Sequence, residues 1–81
     1  MTLTVHLFAA ARELAGTDAI TVELRPAATV ADLRAAVAAA VPAAAGLLAR
    51  SAVAVNHDFA DETRRLAAGD EVAVIPPVSG G

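Results

Sequence analysis

Hydrophobic residues stand at every second position in two stretches near the start of the chain, residues 3–8 and 20–25. Because successive side chains of a strand point to opposite faces, this period predicts two strands, each with one buried face. The turn sequence Gly16-Thr17-Asp18 lies between them, and Pro26 ends the second stretch. The pattern therefore predicts a β-hairpin with a wide connection.

A helix follows the hairpin. The hydrophobic positions 30, 33, 37 and 41 are spaced so that they share one face of an α-helix. Thr29 can cap this helix, and Asp32 stands where a capping-box acid would lie, close to the positive end of the helix dipole. Pro42 ends the helix, and the alanine-rich residues 43–50 predict a short further helical turn.

Short strands account for the rest of the chain. Residues 53–55 and 71–75 are predicted strands rich in hydrophobic residues and bounded by turn sequences, and a short return strand is predicted around Phe59. A crossover through the helix would place the first and last strands side by side and parallel at the sheet centre. We therefore predict an α+β domain of the β-grasp (ubiquitin-like) type over residues 1–76, followed by a mobile tail over residues 77–81.

The composition narrows the class of function. The chain has 81 residues, a net charge of −3 and no cysteine, which excludes disulfides, thiolate metal sites and cysteine nucleophiles. There is no basic patch with interleaved aromatic residues and no hydrophobic run long enough to cross a membrane, so we expect neither nucleic acid nor membrane as a partner. Lysine is absent, so no side chain of this protein can accept an isopeptide bond.

The sequence ends in Gly80-Gly81, preceded by Pro76-Pro77-Val78-Ser79. Glycine lacks a Cβ, so a terminal Gly-Gly can enter a tunnel too narrow for other residues and leaves the carboxylate of Gly81 open on both faces. An enzyme that activates a protein C-terminus by adenylation requires such an end. The alternative interpretation is a frayed terminus with no function.

Three segments carry a resemblance to a known family: residues 8–17 (FAAARELAGT), residues 54–56 (AVN) and residues 66–81 (LAAGDEVAVIPPVSGG). Together they resemble the small, sulfur-carrier subunits of molybdopterin synthase, which are ubiquitin-like β-grasp proteins. The resemblance spans the whole chain, and the combination of its start and its end is the specific part.

The resemblance implies a reaction cycle. An ATP-dependent, E1-like activating enzyme would adenylate the Gly81 carboxylate, and a sulfur donor would convert the adenylate to a thiocarboxylate. The tail would then enter the large synthase subunit and pass sulfur to a cyclic pterin precursor. This chain would bind no cofactor itself, would leave acid–base catalysis to its partners in a heterotetramer, and would be cytoplasmic.

The resemblance also implies site residues. Gly81 and Gly80 would carry the chemistry. Phe8, Phe59 and Ile75 would form a partner-binding patch on the outer sheet face. Phe8 follows Leu7 at the end of the first strand, so the two side chains are expected to point to opposite faces. Ile75 departs from the aromatic residue expected at its position. The remaining expected partner contacts are Arg12, Pro76, Pro77, Val78 and Ser79. The alternative for Phe8 is a partly covered surface aromatic, and for Arg12 a solvated pair with Glu13.

Other functions remain open at this point. They are a sulfur carrier for another pathway such as thiazole synthesis, a ubiquitin-like protein modifier that reacts with lysines of its targets, and a β-grasp interaction module with incidental glycines. The sequence assigns no role to His6 or His57, which have no visible metal partners. Asp70 is expected to form hydrogen bonds within its turn, and Glu71 to be a surface charge.

Overall fold

The computed structural model describes residues 1–78, and its five strands and main helix follow the order expected from the sequence. A 3₁₀ turn, Pro42–Ala44, separates the second and third helices. The elements are β1 (Thr2–Leu7), α1 (Ala9–Ala15), β2 (Ala19–Glu23), α2 (Val30–Ala40), α3 (Ala45–Leu48), β3 (Ala52–Val55), β4 (Asp58–Ala60) and β5 (Val72–Ile75).

The five strands form one mixed sheet in the order β2-β1-β5-β3-β4. β1 pairs with β5 in parallel at the centre, with Val5 opposite Val72 and Leu7 opposite Val74. The pairs β1–β2, β3–β5 and β3–β4 are antiparallel. The predicted β-grasp arrangement is confirmed, including the parallel central pair.

The core lies between one face of the sheet and α2. The helix buries Val30, Leu33 and Val37, as its spacing predicted. The sheet contributes the alternate positions of its central strands, so every second residue faces the helix. The inward side chains of the strands are Leu3, Val5, Leu7, Val22, Val53, Val55, Val72 and Val74. Among residues 1–78, no helix covers the opposite face of the sheet, so the side chains of that face are open to a binding partner.

The start of α2 has the predicted capping box. The Thr29 hydroxyl accepts a hydrogen bond from the Asp32 N–H (3.4 Å), and the Asp32 carboxylate accepts one from the Thr29 N–H (2.9 Å). Two backbone donors of the first helical turn are thereby satisfied. Arg25 also pairs with this carboxylate at 2.9 Å, which links the end of the β1–β2 hairpin to the helix start.

The structure corrects the sequence prediction between β1 and β2. The connection contains α1, a helix of seven residues, and Phe8 is its N-terminal flanking residue, not part of the first strand. β1 ends at Leu7 because Ala9 adopts φ +50°, which turns the chain out of the sheet. Gly16, with φ +72°, ends α1 in a left-handed conformation that glycine adopts without a steric penalty.

Arg34 holds the segment after α2, a role that the sequence pattern did not indicate. Its guanidinium donates hydrogen bonds to the carbonyl oxygens of Leu48 and Ser51, the latter at 2.7 Å, and to the Glu62 carboxylate at 2.9 Å. The Arg34 side chain is four-fifths buried, so these bonds replace the water that it loses. One cation thereby ties α2, the end of α3 and the loop before β5 together.

A second polar cluster joins the β3–β4 turn to the start of β5. The Asn56 side chain donates to Asp70 (3.0 Å) and accepts from the Glu71 N–H (2.9 Å), while Asp70 also accepts from the Ala67 N–H (2.8 Å). The turn-bonding role predicted for Asp70 is confirmed. The cluster fixes the position of Glu71 at the edge of the outer face.

Hydrogen bonds lower the pKa of three aspartates, chiefly from the Thr29 N–H for Asp32, the Thr63 side chain for Asp61 and the Ala67 N–H for Asp70. A carboxyl whose pKa is lower in the folded state than in the unfolded state stabilises the fold above its unfolded pKa of about 3.9. That contribution is lost as the pH falls through the folded pKa.

We therefore expect these three aspartates to leave the urea midpoint of unfolding unchanged between about pH 7 and pH 5. Below about pH 4 their protonation should lower the midpoint. Asp70→Asn should be less stable than the wild-type protein at neutral pH, and its midpoint should depend less on pH in the acidic range. Urea titrations across this pH range measure both. An Asp70→Asn variant with the full wild-type acid dependence would contradict the assignment.

Candidate functional site

The outer face of the sheet forms an open groove of about 420 Å³. We call it the outer groove. Its lining residues come from β1 and the start of α1, the β3–β4 hairpin, and β5, and they are His6, Phe8, Ala54, His57, Phe59, Glu71, Val72, Ala73 and Ile75. Since this face has no helix over it, the groove is accessible from solvent.

The groove exists because small residues lie between large ones on this face. The sheet register places His6 beside Ala73, Ala73 beside Ala54, and Ala54 beside Phe59, in one row across four strands. Neighbouring strands are about 4.8 Å apart, so His6 and Phe59 stand roughly 14 Å apart with two alanines between them. The alanines form the floor, and the larger side chains on β1 and β4 form the walls.

The groove brings together three of the residues singled out in the sequence. Phe8 and Phe59 keep 49% and 75% of their surface exposed, and Ile75 is half-buried in the same groove. Extension of the β1–β5 register places Phe8 beside Ile75. The three therefore share the outer face as the sequence predicted, even though Phe8 lies beyond the end of β1.

The other predicted site residues lie outside the groove, either on α1 or in the chain after β5. Arg12 is exposed on α1 and does not line it. Pro76 is half-buried directly after β5, and Pro77 and Val78 are exposed, Val78 at 95%. Ser79, Gly80 and Gly81 lie outside the described residues. The groove thus ends where the chain leaves the sheet toward its terminal glycines.

His6 and His57 also line the groove, although the sequence analysis gave them no role. The chain has only two histidines and two phenylalanines, with no tyrosine or tryptophan, and all four of these aromatic side chains line the groove. The available signal was the repeated pattern His-x-Phe, at residues 6–8 and 57–59. Its meaning depends on the sheet order, which brings β1 and the β3–β4 hairpin to opposite sides of the same floor.

His57 occupies an unusual backbone position. It and Asn56 are the central residues of the two-residue β3–β4 turn, with φ of +72° and +51°. Turns of this kind favour Asn followed by Gly, since glycine has no Cβ to clash in the left-handed region. The His57 side chain is 90% exposed, and its Nε2 lies 3.4 Å from the Glu71 carboxylate. An exposed pair of this kind adds little to stability, so folding alone does not explain a histidine here.

The chemistry of the groove is that of a binding surface. It offers a hydrophobic floor, two phenyl rings and two imidazoles, and one carboxylate at its edge. Within residues 1–78, no group of three or more His, Asp or Glu side chains is arranged to hold a metal ion. The same residues contain no helix that is both long and hydrophobic enough to cross a membrane.

Comparison with known proteins gives the family. The model of the ThiS family matches residues 5–81. This chain belongs to the ThiS family. A Molybdopterin synthase sulfur carrier subunit from Chlamydomonas reinhardtii is 40% identical over 83 residues, and the match covers all of both chains. The sequence resemblance to this family is therefore confirmed.

Solved structures share the fold of this ThiS family member. The crystal structure of small archaeal modifier protein 1 from Haloferax volcanii is 33% identical with a TM-score of 0.87, covering 95% of this chain and 98% of that one. A protein–protein complex of subunits 1 and 2 of Molybdopterin-converting factor from Helicobacter pylori includes a chain with a TM-score of 0.71. That chain is 23% identical, with full coverage of both, so this likeness shows the fold alone.

The strain at His57 can be measured with two substitutions. His57→Gly removes both the imidazole and the Cβ at φ +72°, whereas His57→Ala removes the imidazole and keeps the Cβ. We expect His57→Gly to be more stable than His57→Ala by about 1 kcal/mol, because only glycine occupies this region without a clash. Urea unfolding of the pair measures the difference. Equal stability of the two variants would show that the turn is unstrained.

Proposed function

We propose that this chain is a sulfur carrier in molybdopterin biosynthesis. The observation that carries the proposal is the 40% identity over the full length to the Chlamydomonas reinhardtii sulfur carrier subunit. The family match also extends to residue 81, so it includes the terminal Gly80-Gly81. The accessible outer groove beside the exit of the tail supports a protein that is held by a partner while its end reacts.

The proposed chemistry takes place at the carboxylate of Gly81. A carboxylate is a poor electrophile, so an activating enzyme transfers AMP from ATP to it and releases pyrophosphate. A sulfur donor then displaces AMP from the acyl-adenylate and leaves a thiocarboxylate, whose sulfur is a better nucleophile than a carboxylate oxygen. The described residues of this chain supply binding, and the partners supply the acid–base and oxyanion groups.

The proposed partner at the sulfur-transfer step is the large subunit of molybdopterin synthase. The Helicobacter pylori structure is a complex of subunits 1 and 2 of its converting factor. In this chain the outer groove is the surface suited to such a contact, since exposed aromatic residues around a concave floor are typical anchors of protein interfaces. Arg12, on a different part of the surface, is proposed as a contact for the activating enzyme.

A protein modifier is the second candidate, because small archaeal modifier protein 1 has the same fold at 33% identity. In that case the activated Gly81 carbonyl would form an isopeptide bond with a lysine of a target. Intact mass of the protein from its native cells separates the two functions. A thiocarboxylate replaces one oxygen with sulfur and adds about 16 Da, whereas a modifier appears in conjugates of much higher mass.

The first functional prediction concerns Gly81. Gly81→Ala should greatly reduce ATP–pyrophosphate exchange by the cognate activating enzyme, and deletion of Gly81 should abolish it, because the added Cβ or the shortened tail prevents the carboxylate from reaching the adenylating site. Gly46→Ala is the matched control, since a Cβ at Gly46 meets no atom within 4 Å. Exchange that persists at the wild-type rate after deletion of Gly81 would refute the proposed chemistry.

The second functional prediction concerns Phe8. Phe8→Ala should weaken binding to the large subunit by about 1–3 kcal/mol, as expected for an aromatic anchor, with a smaller loss of folding stability. Leu14→Ala on α1 is the control, because Leu14 is similarly exposed, at 46% against 49% for Phe8, and lies outside the groove. Calorimetric titration and thermal unfolding are measured on both variants. A large fall in Tm with unchanged affinity would place Phe8 in a structural role.

A further inference from the structure

The outer groove has two chemically different ends. One end lies where β5 finishes and is hydrophobic, since Phe8 and Ile75 line it. The other lies where β5 begins, and there Glu71 and His57 form the edge. A strand advances about 3.3 Å per residue, so the four steps from Glu71 to Ile75 separate the two ends by roughly 13 Å.

Negative charge extends beyond the Glu71 end. A second depression of about 310 Å³ adjoins the outer groove and shares His6 and Glu71 with it, and Asp70 also lines this depression. Among the described residues, Glu71 and Asp70 are the only carboxylates that line the two depressions, and no arginine lines either of them. An aspartate is ionised at neutral pH in any case, and hydrogen bonds from the Ala67 N–H and the Asn56 amide lower the pKa of Asp70.

The backbone of Glu71 and the carboxylate of Asp70 are held in place at this end. Asn56 donates to the Asp70 carboxylate and accepts from the backbone N–H of Glu71. The Glu71 side chain keeps 62% of its surface exposed, and the His57 ring lies 3.4 Å from its carboxylate. The Glu71 carboxylate therefore starts from a fixed point of the backbone and is open to a ligand from outside the chain.

We propose that the outer groove receives a partner segment that carries a hydrophobic side chain at the Phe8–Ile75 end and a basic side chain at the Glu71 end. This rests on the proposed function, and the segment belongs to the large synthase subunit. Charge complementarity calls for the cation, because Glu71 supplies an exposed carboxylate and no arginine is among the described residues that line the groove. The two partner side chains lie about 10–13 Å apart, as residues seven apart in a helix or four apart in a strand do.

The two ends give the contact a direction. A partner segment that bound in reverse would place its basic side chain against Phe8 and Ile75, where no carboxylate of the groove lies, and would leave Glu71 unpaired. The chain leaves the sheet at the Ile75 end, so the direction of docking decides where the residues after Pro76 enter the partner. Glu71 is thus a specificity residue that acts away from the reacting carboxylate.

Glu71→Gln tests the inference, because it removes the charge and keeps the shape of the side chain. Affinity for the large subunit is measured by calorimetry at low and at high salt, with a Tm for each variant. We expect Glu71→Gln to weaken binding roughly 3- to 10-fold at low salt and to reduce the salt dependence. Glu71→Lys should weaken binding further, since it places a cation against the partner's cation.

Glu23→Gln is the matched control. Glu23 is exposed on β2, opposite Thr2 on the same face of the sheet, and lies outside both depressions. The Glu23→Gln variant should bind the large subunit with the affinity and salt dependence of the wild-type protein. Equal losses in Glu23→Gln and Glu71→Gln would indicate a general field effect and overturn the proposed contact.

The outcomes separate this inference from the proposed function. If Phe8→Ala weakens binding while Glu71→Gln and Glu71→Lys bind like the wild-type protein, the groove is a hydrophobic dock without an ionic end, and only the inference fails. If the wild-type protein does not bind the large subunit, the proposed function fails and the inference falls with it. Self-association of the wild-type protein in light scattering, blocked by Phe8→Ala, would assign the groove to a second copy instead.

Discussion

The parallel pairing of β1 with β5 is the contact on which the rest of this structure depends. It joins the first strand of the chain to the last, and it places Val5 beside Val72 and Leu7 beside Val74 in the centre of the core. A parallel pair requires a long crossover, and here the intervening chain supplies α2, which covers these residues. Because the pair is central, its register sets the positions of both the core and the outer groove.

The two faces of this sheet use the same strands for different purposes. Inward positions are mostly leucine and valine, which fill the space beneath α2. Outward positions on β3 and β5 include Ala54 and Ala73, whose small side chains leave a depression between larger residues on the neighbouring strands. Because side chains alternate along each strand, one set of residues packs the core and the other forms the groove. Substitutions on the outer face therefore need not disturb the core.

Polar contacts hold the parts that the core does not reach. Arg34 fixes the segment after α2 through carbonyl oxygens, and Asn56 with Asp70 fixes the β3–β4 turn against the start of β5. The Asn56–Asp70 cluster also lies at one end of the outer groove, so the same segment contributes to stability and to binding. His57 illustrates this overlap. It adopts a left-handed backbone conformation, and its exposed imidazole adds little to the stability of the fold.

The sequence by itself determined the elements whose causes are local. The period of two in β1 and β2, the spacing along α2, its Thr29–Asp32 capping box and the break at Pro42 all follow from neighbouring residues, and the predicted order led to the β-grasp fold. The placement of Phe8, Phe59 and Ile75 on one face also followed, because side-chain alternation is a local rule once the strand order is assumed.

Tertiary structure decided the rest. Ala9, with φ +50°, begins α1 and ends β1 before Phe8. No residue pattern marks that change, since alanine is not typical of the left-handed region. The convergence of His6, His57 and Glu71 depends on the register between strands that are distant in sequence. The Arg34 contacts likewise join residues far apart along the chain. Such pairings arise only when the sheet closes, because the energy that selects them comes from burial of the whole core and not from any one segment.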